Sequence, residues 1–213
     1  MIDYESLVTK ALKIKLVQKN IKTLRGYLSA DKGNVDIITR AFALGVYLRG
    51  ATLGYVAQAL ELGQALTVPT VRIESWRRLA LEQGDRLSRA AQVRETLSRE
   101  QAELWATEAA RTTARRGLDS GVFGKAEDAN VPFKTWVRVA PVRSPRAHSN
   151  LEGVTIERDE LFTLPSGIQV YGPRDPAAPF ATEWIGCQHH LLYSDRRANA
   201  VVKTFEGPRI IKD

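Results

Sequence analysis

The chain has 213 residues, 44% of them hydrophobic and 26% charged, which supports one domain or two small ones with a real core and excludes a disordered tail. A single cysteine excludes a disulfide framework and fits intracellular assembly, and the charged opening MIDYESLVTKALKIK carries no secretory signal. The excess of 31 Lys and Arg over 24 Asp and Glu, a net charge of +7, admits polyanions as partners and equally fits a solvated basic surface.

Leu7, Ile14, Ile21 and Leu28 recur every seven residues, with Val17 and Leu24 between them, and predict a first helix with an apolar seam. Lys10, Lys13, Lys15, Lys19, Lys22 and Arg25 cover much of its remainder. Two readings of that basic face stand: solvated lysines on a bundle helix, or contacts to phosphates or a partner.

Asp31-Lys32-Gly33-Asn34 is a turn signal, and Asn34 is placed to cap a second helix running to about Leu62 before Gly63. Gly45, Gly50 and Gly54 lie among its alanines and leucines and invite another backbone to approach closely. Ala41 to Leu62 is the most apolar stretch of the chain, but Arg49 cuts it short of the ~18 uninterrupted residues of a membrane span. The expectation is a soluble chain with no stable membrane span.

A third helix is predicted from near Thr70, carrying Trp76-Arg77-Arg78, Arg86, Arg89 and Arg94 among Glu74, Glu82, Asp85 and Glu95, a spacing that permits ion pairs along the helix. Ser98-Arg99-Glu100-Gln101 has capping-box spacing and restarts a fourth helix, expected to reach about Gly117. If the basic helices meet nucleic acid, Lys13, Lys15, Lys19, Lys22, Arg77 and Arg78 are the expected phosphate contacts.

The chain changes character near residue 120. Pro69 is the one proline before it, whereas Pro132, Pro141, Pro145, Pro165, Pro173, Pro176, Pro179 and Pro208 follow. Proline interrupts helices, so short strands and long ordered loops are predicted there. Thr135 to Val139, Val154 to Ile156 and Ile168 to Tyr171 are β-type runs bounded by Gly or Pro, and Ala200 to Phe205 offers one more. The fold class is α+β: a helical N-terminal region followed by a small C-terminal α+β module.

All three histidines and the cysteine fall in this second part, as His148, Cys187, His189 and His190. In an extended segment Cys187 and His189 point to one side and His190 to the other. With His148 as third ligand, and Asp175, Glu183 or water as fourth, the set would suit zinc. A buried cysteine beside two hydrogen-bonded histidines is the other reading. A Cys187–His148 nucleophile pair lacks any sign of an oxyanion cradle, and no P-loop, GxGxxG or HExxH occurs.

These residues also stand in an order that resembles a known family. Ala110-Arg111-Thr112, Trp136, Arg143 with Arg146 and His148, Leu151-Glu152-Gly153, Phe162, Pro173-Arg174-Asp175-Pro176 and Cys187-Gln188-His189 follow one another from about Leu97 to Tyr193. That stretch resembles the C-terminal module of the phage Mu F-like head-morphogenesis family, the minor head proteins of tailed phages. Two departures bear on the chemistry. Pro141 and Val142 stand where the family usually has an Asp, and His189 replaces the second Cys of its terminal pair. The Cys-to-His change keeps the capacity to bind zinc, and the lost Asp removes a ligand or catalytic carboxylate.

The resemblance implies a division into a docking region, 1–96, and a minor-head-protein-like module, 97–213. It implies a non-enzymatic virion component inside or beside the capsid, acting in head morphogenesis or DNA ejection. Its partners would be the portal or other capsid proteins and double-stranded DNA bound without sequence preference, and its place the virion, with the host cytoplasm during assembly; the cofactor expected from the residues themselves is zinc held by His148, Cys187 and His189. The alternative is a small metal-dependent hydrolase, nuclease or toxin delivered with phage DNA.

Overall fold

A computed structural model of the chain describes residues 3–30, 34–92, 97–138, 147–175 and 189–197. The fold is α+β and falls into two compact units, Met1–Lys125 and Ala126–Asp213. The division lies within a helix, so residues 97–125 belong with the helical unit, although the expected boundary stood between 96 and 97.

In the first unit the predicted first helix is two: α1 (Tyr4–Leu12) and α2 (Lys15–Ala30). Asp3 caps α1 by accepting from the Ser6 amide at 3.0 Å, and Lys13 ends it. The seven-residue seam carries across this break, but Leu7, Ile14 and Ile21 are only half-buried. The buried positions are Val8, Ala11, Val17, Leu24 and Leu28. Helix α3 (Val35–Glu61) starts as expected: Asn34 Oδ1 accepts from the Ile37 amide at 3.1 Å. It ends at Gly63, whose φ of +62° is a left-handed conformation that glycine adopts without strain.

Helix α4 (Thr70–Gln92) packs on α3, where Trp76 meets Tyr55 edge-on with centroids 5.9 Å apart, over Tyr47, Ala51 and Ala80. Helix α5 (Arg99–Asp128) opens with the expected capping box: Ser98 Oγ accepts from the Gln101 amide at 3.2 Å, and Gln101 Oε1 accepts from the Ser98 amide at 3.1 Å. It does not stop near Gly117. Cβ atoms built on Gly117 and Gly121 would lie 2.2 Å from Tyr47 O and 1.9 Å from Ala51 O. Those on Gly50 and Gly54 would lie 2.4 Å from Ala114 O and 2.2 Å from Leu118 O. Glycines on both helices therefore let the α3 and α5 backbones touch, and Gly117, which read as a helix stop, belongs to a packing face. Gly45 differs, since its Cβ would meet the Asn20 side chain on α2 at 2.6 Å.

In the second unit β1 (Phe133–Arg138) is the middle strand of a three-stranded antiparallel sheet, between β2 (Thr155–Glu157) and β5 (His189–Ser194). A short 3-10 turn, Ala147–Leu151, precedes β2, and β3 (Phe162–Thr163) pairs with β4 (Gln169–Val170). The register sets Lys134, Trp136 and Arg138 opposite Tyr193, Leu191 and His189. Strand alternation therefore puts these six on one face, and Trp136, fully buried, packs edge-on to Phe162 at 5.1 Å there. The possible strand Ala200–Phe205 lies outside the described residues.

Candidate functional site

At one end of the β1–β5 pair three polar side chains form a chain of contacts. Arg138, the last residue of β1, grips Glu152 with two parallel hydrogen bonds: Nε donates to Oε1 and Nη2 to Oε2, both at 2.7 Å. Glu152 Oε1 also meets His189 Nε2 at 2.8 Å. The turn that ends at Leu151 presents Glu152, and Gly153, at φ +81°, returns the backbone to the sheet with its amide 2.8 Å from Trp136 O. His148, on the same turn, is fully buried with its ring edge-on to His189, centroids 4.9 Å apart at 79°. Trp136 lies 5.8 Å from His148 and 6.1 Å from His189, centroid to centroid, closing the apolar side of the cluster.

When Nε2 of His189 donates to Glu152, the tautomer is fixed and Nδ1 carries the lone pair. A carboxylate behind an imidazole is the arrangement that orients metal-ligating histidines, here braced by a guanidinium. Two imidazoles sharing one tetrahedral zinc, at Zn–N of about 2.0–2.1 Å, hold their ring centroids about 5 Å apart. The His148–His189 pair has that spacing. Among the described residues no group of three or more ligating side chains is gathered, and Cys187 and Glu183 lie outside them. Asp175 has a structural task, its Oδ2 accepting from the Tyr171 amide at 2.5 Å.

His190 takes the other face of β5, as alternation requires, and its Nδ1 meets Arg174 Nη2 at 2.9 Å in a buried contact. Arg174 has φ +65°, an uncommon conformation for a side-chain-bearing residue, at the turn that follows Tyr171. Lys134 is buried as well: its ammonium donates to Tyr171 O at 3.0 Å and lies 3.3 Å from the Tyr171 ring centroid. Burial pushes its pKa down to about 8, against the raising effect of Asp159 and Asp175.

Sequence reasoning placed His148 and His189 and missed Glu152 and Arg138 as their support. Arg138 lies inside the β-type run Thr135 to Val139 and Glu152 between Leu151 and Gly153, and neither position marks in the sequence a partner for a histidine. The six expected phosphate contacts all belong to the first unit and are exposed. Lys13 ends α1, Lys15 opens α2, and Lys19 and Lys22 line a groove between α2 and α5. Arg77 pairs with Glu74 at 2.7 Å on α4, beside Arg78. No helix among the described residues is long and apolar enough to cross a membrane.

No family model matches the chain, and no solved structure matches it. Over 104 residues it is 32% identical to the DNA-directed RNA polymerase subunit alpha of Roseiflexus sp. (strain RS-1), an alignment that covers 48% of this chain and 32% of that one. The chain thus spans about a third of the length of that curated relative.

Proposed function

We propose that this chain is a minor head protein of a tailed phage, a non-enzymatic component of the capsid interior or portal region that contacts genome DNA during head morphogenesis or ejection. One observation carries the reading: residues that bear the family likeness, scattered from Trp136 to His189, pack together. Trp136 touches Phe162, His148 and His189, and Glu152 of the Leu-x-Gly element holds His189.

In this reading His148, Cys187 and His189 hold a structural zinc that fastens the second unit, with Glu152 and Arg138 behind His189. The exposed lysines and arginines of α1, α2 and α4 meet phosphates without reading bases.

The test is co-expression of the tagged chain with a portal protein and a major capsid protein, followed by isolation of assembled heads. Recovery of the chain in heads at a few copies per portal supports the reading, and its exclusion from them overturns it. Elemental analysis of metal-free and zinc-supplemented protein decides the cofactor separately, and the absence of metal from both samples removes zinc. The Glu152–His189–His148 arrangement also favours a second reading, a metal-dependent hydrolase or nuclease. Hydrolysis abolished in His148→Ala while the fold persists would install that reading instead.

A further inference from the structure

We infer that the groove between α2 and α5 is a docking site for an acidic amphipathic segment of a protein partner. The groove has a volume of about 540 Å³ and an apolar floor that includes Leu12, Ile21 and Ala110. Its walls carry Lys19, Lys22, Arg25 and Arg111 against the single carboxylate of Glu103. Arg25 is paired with Glu103 at 3.0 Å, and Arg111 with Glu108 at 3.1 Å. Lys19 and Lys22, exposed along α2, make no ion pair among the described residues.

What distinguishes this groove from a plain phosphate-binding patch is its apolar content. Leu12, Ile21 and Ala110 line it. Leu104, one turn before Thr107 and two turns before Arg111 on α5, borders it and leaves 62% of its surface exposed. A nucleic-acid backbone has no use for aliphatic side chains, whereas a helix with one apolar stripe flanked by carboxylates matches both these side chains and the lysines. The charge complementarity selects the partner's sign, and the aliphatic side chains select protein over DNA. This site stands independently of the phage reading.

The probe is a fluorescein-labelled acidic peptide of about 16 residues with leucines at i, i+3, i+4 and i+7, set against a scrambled peptide of equal composition and a duplex of random sequence. Fluorescence anisotropy with the full chain is expected to show the patterned peptide binding about tenfold more tightly than the scrambled one. Lys19→Glu with Lys22→Glu weakens the patterned peptide about tenfold, and Leu104→Ser weakens it while leaving duplex binding unchanged. These positions are exposed, and circular dichroism checks that the helices persist. Equal binding of the two peptides, no binding of either, or indifference to Leu104→Ser would overturn the proposal. Loss of duplex binding alone in the lysine variant would return the groove to phosphates.

Discussion

Arg138 and His189 both bond the carboxylate of Glu152, so removing it leaves a partly buried guanidinium and a fully buried imidazole facing each other. Stripping one partner from a buried charged network costs more than the network contributes, because the remaining charge has lost both its water and its counter-ion. Glu152→Ala is therefore expected to destabilise the second unit by about 3 kcal/mol, the low end for such losses because Arg138 keeps some solvent contact. Hydrogen exchange at the Trp136 and Gly153 amides, which bond Val154 O and Trp136 O, reads the loss locally. A cost under about 1 kcal/mol would show that the cluster relaxes into water. Lys134 makes a pH prediction of definite sign. Its folded pKa of about 8 lies below its unfolded value near 10.5, so between those values the unfolded state binds more protons. Stability then rises with pH across that window, by at most about 1.4 kcal/mol per pH unit. Above pH ~10 the rise reverses, because buried Tyr47 and half-buried Tyr171 have pKa values pushed upward and stay protonated when the unfolded chain ionises. Urea midpoints from pH 7 to 10 on wild type and Lys134→Met check this: the rise belongs to wild type alone, and an equal slope in both assigns it elsewhere.

At the scale of the elements, α3 and α5 make a contact that only glycine permits. A methyl group on Gly121 would overlap Ala51 O, which belongs to backbone and cannot swing away. Gly121→Ala is expected to cost about 3 kcal/mol by prising the helices apart. Gly26, exposed on α2 with nothing within 4 Å of its would-be Cβ, predicts the opposite. Gly26→Ala should stabilise the chain by about 0.5–1 kcal/mol through helix propensity and a less disordered unfolded state. Thermal melts of the two variants check the contrast, and equal shifts would deny that contact geometry sets the sign. The same helices show what the sequence could say. The Asn34 cap and the Ser98–Gln101 box were legible because a cap is settled within four residues. The break at Lys13 and Ile14 was not, because the apolar spacing runs through it and only packing against α3 decides which residues face inward. The stop read at Gly117 failed for a related reason: glycine ends a helix in solvent but continues one where a second backbone lies against it. The segment from Cys187 was read as extended, with His189 and His190 on opposite sides, and β5 keeps that alternation from His189 on; the run was not named as a strand because its apolar part, Leu191 to Tyr193, follows two histidines rather than a β-type run. The cluster was legible as a set of scarce residue types. Its supports, Arg138 and Glu152, were not, since only the register of β1 with β5 and the turn before β2 bring them to His189.

For the molecule as a whole, the net charge of +7 matters less than its division between tasks. Some basic side chains are neutralised at home: Arg40 by Asp85 at 2.7 Å, Arg115 by Glu5 at 2.8 Å, and Arg158 by Asp159 at 3.0 Å. Others serve folding, as buried Lys134 and Arg174 do. Among the described residues the exposed cations of the helices are open to a polyanion, and the six expected contacts predict a modest, salt-sensitive affinity. With about 0.9 counterions released per phosphate neutralised, Lys13, Lys15, Lys19, Lys22, Arg77 and Arg78 together contribute about −5 to the slope of log K against log salt. The Arg77–Glu74 pair makes it shallower, since that arginine must leave a carboxylate to reach a phosphate. Saturating the α2–α5 groove with the acidic peptide withdraws Lys19 and Lys22 and should lower the slope by about 2. Lys13→Gln with Lys15→Gln should lower it by a similar amount without touching peptide binding, because neither residue lines the groove. Titrations on two duplexes of unrelated sequence, from low to moderate salt, separate the cases. Parallel losses on both duplexes mark contacts to phosphates, whereas a loss confined to one duplex would mean that this surface reads bases after all.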